Sequence, residues 1–241
     1  NVLLLVASRL FAGLGMFILW VVCINVVSST FPPNRRATAT SLITSGYPAG
    51  YALGQLGAPR VAEVVGWPGV FPVFGGAVLV LSLVFYIIVG HVSRFDRSPE
   101  PPKLADFKRV FGNRNVWQVI VVTILGYSLY MMLNSWMPTY VTRRFGVSIA
   151  ESGTFVALFP AVGVLARPAG GWVSDTVLGQ RRRPVFTVSF VGTTALAIVM
   201  FYTTTVATLV GMLVLAGVFI QLQIGLLYQS IQEFADPSAA G

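Results

Sequence analysis

Three groups of residues in this chain have types and spacings that could do chemistry. The first is a carboxylate beside arginines: Gly171 and Asp175 lead into Arg181, Arg182 and Arg183. Partly desolvated charges at such separations attract strongly and can tie two segments together. The alternative is that the arginines only set membrane orientation. The second group is neutral and polar. Thr123, Tyr127, Tyr130 and Asn134 fall at offsets of 0, 4, 7 and 11, which is one stripe of a helix. Gln221, Gly225 and Tyr228 share another face, Gln223 and Gln232 are offset from it, and Asn25 lies near the end of the first apolar stretch. These groups can hydrogen-bond a solute, or they can join helices. The third is Arg9, about two turns into that stretch, where a charge costs a few kcal/mol. It is expected to face a cavity or another helix, with snorkelling to the headgroups as the alternative.

Bond-making chemistry has no foothold here. Gly-x-Ser-x-Gly, His-Glu-x-x-His and paired acids inside apolar stretches are all absent. A single Cys23 forbids an internal disulfide and a cysteine zinc site, and a single His91 argues against a histidine metal site. The expectation is no enzyme, no cofactor and no metal.

The elements that carry these residues are set by composition. Of 241 residues, 55% are hydrophobic and 10% charged, less than half the load of a soluble domain, about 25%. That excludes a soluble globular protein, a disordered tail and a nucleic-acid-binding domain. Seven stretches are apolar enough for membrane helices, at 3–30, 39–56, 70–90, 116–140, 153–173, 185–202 and 206–229. The gaps that alternate from the first hold Arg35 and Arg36, six basic residues from Arg94 to Arg114, and Arg181–Arg183; the others hold Arg60, Arg143 and Arg144. The positive-inside rule then puts the amino end outside and the long gap in the cytoplasm. No span contains Asp or Glu, so no titratable carboxylate stands at membrane depth in these stretches. Gly46, Gly50 and Gly54 make a smooth face expected to pack against another helix. The third span, 70–90, is apolar around its circumference and should face lipid.

Two motifs carry a resemblance. Residues Arg9, Gly13 and Gly15 have the form R-x-x-x-G-x-G, and Gly171 through Arg183 reads G-x-x-x-D, then G-x-R-R-R. With the basic linker, the chain resembles the major facilitator superfamily, as its helices four to ten. Trp136 to Tyr140 followed by Gly146 resembles the end of helix seven. Thr176 stands where a basic residue commonly follows the aspartate. The resemblance implies an all-α membrane protein whose seven helices belong to a twelve-helix, two-half fold. Residues 1–90 would end the amino-terminal half, 91–115 form the cytoplasmic linker and 116–241 belong to the carboxyl-terminal half. Three helices would be missing upstream and two downstream, which makes the chain a piece of a longer one.

It also implies a secondary transporter of a small solute working by alternating access, in the plasma membrane. A cavity with Arg9 and no acid in the spans leans toward an anionic or neutral substrate, such as an organic anion or similar metabolite. Substrate-cavity candidates are Arg9, Asn25, Tyr127, Tyr130, Asn134, Gln221, Gln223 and Tyr228; the cytoplasmic gate is Gly171, Asp175 and Arg181–Arg183. The expected partners are the solute, a coupling proton or other ion if coupling exists, and the bilayer, with a monomer and no nucleic acid. The alternatives are a drug–proton antiporter, or a seven-helix receptor if the chain is complete.

Overall fold

The computed structural model describes residues 2–32, 35–89, 108, 110–179 and 181–234. The helices are α1 (Val2–Thr30), α2 (Arg36–Thr44), α3 (Gly46–Val89), α4 (Arg114–Phe145), α5 (Ile149–Trp172), α6 (Arg183–Phe201) and α7 (Val206–Phe234). A π-helical turn, Val173–Val177, prolongs α5. No strand occurs among the described residues. Most of the expected 91–115 linker lies outside them.

Local chemistry fixes several ends. Asn113 caps α4 by accepting from the Asn115 N–H, and Gly146 ends it at φ +70°, the left-handed conformation that glycine takes freely. Ser148 and Glu151 form a reciprocal capping box at the start of α5.

Among the described residues six helices are long and apolar enough to cross a membrane, and one of these runs from Thr38 to Ile88. It is two crossings. Gly66 sits at φ 72°, ψ 164°, inside what would otherwise be one helix. Phe74 lies so near Gly57 that a Cβ there would be 3.3 Å from its ring. A continuous helix would hold those residues roughly 25 Å apart, so the chain folds back at Gly66. The seven expected spans are thus all present.

Close approach builds the core. A Cβ on Gly170 would run into the backbone carbonyl of Leu222, and one on Gly217 would lie 2.5 Å from the Phe159 carbonyl, so α5 and α7 meet backbone to backbone. The cluster between them holds Tyr130, Phe159, Leu213, Ile220 and Ile224, all buried. The far arm of α3, from Val78 to Ile88, is exposed, as its unbroken apolarity requires in lipid. A Cβ on Gly46, Gly50 or Gly54 would meet nothing within 4 Å, so these glycines do not bring another described helix close. They line a cavity of about 670 Å³.

Gly170→Ala should therefore lower the thermal midpoint in detergent, by the equivalent of about 2 kcal/mol, because backbone cannot step aside. Gly211→Ala, with nothing within 4 Å, should leave it level or raise it slightly. Thermal unfolding of both variants checks the contrast.

Candidate functional site

Among the described residues the most completely buried charged residue is Arg167, on α5, with no exposed surface. Its Nε donates to Gln221 Oε1 at 2.7 Å. One terminal nitrogen donates to the Thr44 carbonyl at 2.6 Å. That carbonyl is available because Pro48, four residues on, has no N–H to complete the helical bond. Gln221 reaches the guanidinium by lying across Gly163, one turn before Arg167, where a Cβ would collide with its amide.

Aromatic rings close the site. The Arg167 guanidinium lies 5.8 Å from the centroids of both Tyr47 and Tyr130. Tyr130 in turn contacts Tyr127 at 6.1 Å, Tyr51 at 6.0 Å and Phe159 at 5.6 Å between ring centres. The Tyr130 hydroxyl and the Gln221 Nε2 are buried without a hydrogen-bond partner among the described residues. A cation, a phenol and an amide donor thus stand together in a low-dielectric interior. Such a set can hold an anion bearing several oxygens.

The polar stripe of α4 is brought to this place in part. Tyr130 enters the site and Tyr127 borders a small pocket with Tyr47 and Trp20. Asn134 is one turn away and bonded elsewhere, its Nδ2 donating to the Tyr130 carbonyl at 2.9 Å. Gln223 is buried, and its nitrogen faces Gly126 on α4. Arg9 and Asn25 are exposed on α1, and Arg9 has no partner among the described residues. The Tyr228 side chain lies outside the described residues.

Sequence reasoning left Arg167 and Tyr47 without a role. A signal existed: Tyr47, Tyr51 and Gln55 repeat at four-residue spacing beside the glycine stripe.

A second polar cluster joins the ends of α2 and α5. Asp175 accepts from the Thr38 N–H at 3.0 Å and from its hydroxyl at 2.9 Å. Those donors lie in the first turn of α2, where the helix dipole favours an anion. Arg182 comes within 3.9 Å of Asp175 and donates to the Ser174 hydroxyl at 3.2 Å. Gly171 is buried. Arg181 and Arg183 are exposed, so of the three arginines only Arg182 pairs with the carboxylate. Thr38, its principal partner, carried no signal in the sequence.

Gln221→Leu should leave the buried guanidinium short of an acceptor and cost about 3 kcal/mol. Gln223→Leu, which removes an oxygen with no partner among the described residues, should cost about 1 kcal/mol or less. Thermal unfolding in one detergent would compare them.

The comparisons agree with this architecture. The family model described as Major Facilitator Superfamily matches residues 1–241. The chain is 24% identical over 205 residues to the "Nitrite extrusion protein" of Bacillus subtilis, covering 84% of this chain and 49% of that protein. It is 29% identical over 196 residues to the "Probable nitrate/nitrite transporter NarK2" of Mycobacterium tuberculosis, covering 80% and 48%. It is 27% identical over 208 residues to the "Cis,cis-muconate transport protein" of Acinetobacter baylyi, covering 80% and 49%. The chain spans about half the length of these relatives. A bundle of apolar crossings with a buried polar centre and a family match along its full length place the chain in the Major Facilitator Superfamily.

Proposed function

We propose that the protein is a secondary transporter of a small oxygen-bearing anion, nitrate or nitrite being the first to test, and that Arg167 holds it. The observation that carries this reading is the wholly buried guanidinium between two tyrosine rings. A planar anion can engage a guanidinium through two parallel N–H···O bonds, which an ammonium cannot offer. Tyr130 Oη–H and Gln221 Nε2–H supply further donors. Three relatives whose printed names refer to nitrite, nitrate/nitrite and muconate transport support the anionic class.

The transport cycle is alternating access in the plasma membrane, with the spans before and after the linker belonging to halves that rock about a central site. Arg167 belongs to the second half and Thr44 to the first, so the anion site lies on their seam. Asp175, Thr38 and Arg182 form the inner gate: this bond set crosses the seam at one end and must break for that end to open. Arg181 and Arg183 hold the positive side in the cytoplasm.

Two experiments follow, both on the full-length chain in liposomes. Arg167→Lys keeps the charge and loses the fork, so nitrate and nitrite counterflow should fall about a hundredfold or more, the effect of losing a bidentate charge-assisted pair worth about 3 kcal/mol. Wild-type-like counterflow in this variant would end the anion reading. Asp175→Asn removes the charge that faces the α2 amino end and Arg182. Labelling by an impermeant thiol reagent of a cysteine placed at Ser41 should rise about fivefold from the inner side, for a loss of about 1 kcal/mol. An unchanged rate would remove Asp175 from the gate.

A further inference from the structure

We infer that Gln55 is a second gating residue, closing the seam at the end opposite Asp175 and controlling passage between the 670 Å³ cavity and the arginine site. The inference rests on the transport reading above, but its bonds are independent of the anion.

The argument starts from Pro138. A proline inside α4 leaves the carbonyl four residues earlier, that of Asn134, without its helical donor. In a membrane interior such a group must find another. It finds Gln55 of α3, whose Nε2 donates to the Asn134 carbonyl at 3.1 Å and approaches Asn134 Oδ1 at 3.4 Å. A side chain from before the linker thus replaces a backbone donor missing after it.

Two neighbours hold α3 to α5 at the same level. Gly153 lets the backbones meet, since a Cβ there would lie 2.5 Å from the Gln55 carbonyl. Arg60 donates to the Thr154 hydroxyl at 3.0 Å. Thr154 and Asp175 sit at opposite ends of α5, roughly 30 Å apart, the thickness of a hydrocarbon layer. Gln55, Asn134 and Pro138 line the cavity, and so does Tyr47, which also flanks Arg167. The Gln55 bond therefore stands beside the route from that cavity to the site. When it breaks, the Asn134 carbonyl needs water, and water enters only if the end opens.

The test reads accessibility without any substrate. In the full-length protein with Cys23→Ser, a cysteine at Ala58, on the cavity wall, is labelled by an impermeant maleimide from the Arg60 side. Gln55→Met should raise the rate about fivefold, the shift for one net hydrogen bond. In a Pro138→Ala background α4 regains its own donor, so the same substitution should raise the rate less than about twofold. Gly153→Ala, which pushes α3 from α5 and leaves the Gln55 amide in place, should also raise it.

An unchanged rate in Gln55→Met, in protein eluting as a single species, overturns the proposal. So does an equal rise in both backgrounds, which would mean general loosening. Should Gln55→Met not assemble, Gln55→Asn, shorter by a methylene, reads the same bond with the same two outcomes. A labelling response without nitrate or nitrite flux would refute the anion reading and leave the gate standing.

Discussion

In a hydrocarbon layer a backbone carbonyl without a donor costs several kcal/mol, and proline creates such carbonyls at fixed places. Pro48 withholds the donor from Thr44 and Pro138 withholds it from Asn134. Each is answered by a side chain from a different part of the bundle, Arg167 in one case and Gln55 in the other. The breaks in the helical ladders thereby dictate which helices must touch and at what level. Packing by Gly153, Gly163, Gly170 and Gly217 then lets the backbones come near enough for those side chains to reach.

The same constraint accounts for a charge where none would be expected. A guanidinium in a dry interior is tolerable only if its donors are well placed and its charge is spread. Gln221, the Thr44 carbonyl and two tyrosine faces meet those needs. The site is rigid on one side, where Tyr130 is locked among Tyr51, Tyr127 and Phe159. On the other side Tyr47 stands between Arg167 and the large cavity.

The fold was largely legible in the sequence because hydrophobic length and the placement of arginines are properties of single segments. The fold-back at Gly66 sits between two stretches already separable by composition. The polar stripe of α4 could be read because helical periodicity puts Tyr127, Tyr130 and Asn134 on one face. What no single segment reveals is pairing. Thr38 looks like any threonine until α5 brings Asp175 to it, and Arg167 has no role until Gln221 and the tyrosines surround it. The spacing of Gly46, Gly50 and Gly54 permits close packing but does not by itself name a neighbour, and among the described residues they line the large cavity.

The turn at Gly66 has a consequence for how the protein is made. Between Glu63 and Arg94 the chain carries no Asp, Glu, Lys or Arg, and the reversal is completed by Gly66, Trp67, Pro68 and Gly69. The bend itself therefore offers no charged side chain to hold it in water between the two arms. The two arms therefore partition into the bilayer as one unit, their backbones already satisfied within each helix. Trp67, half-exposed at the bend, is the kind of side chain that settles at the membrane–water boundary.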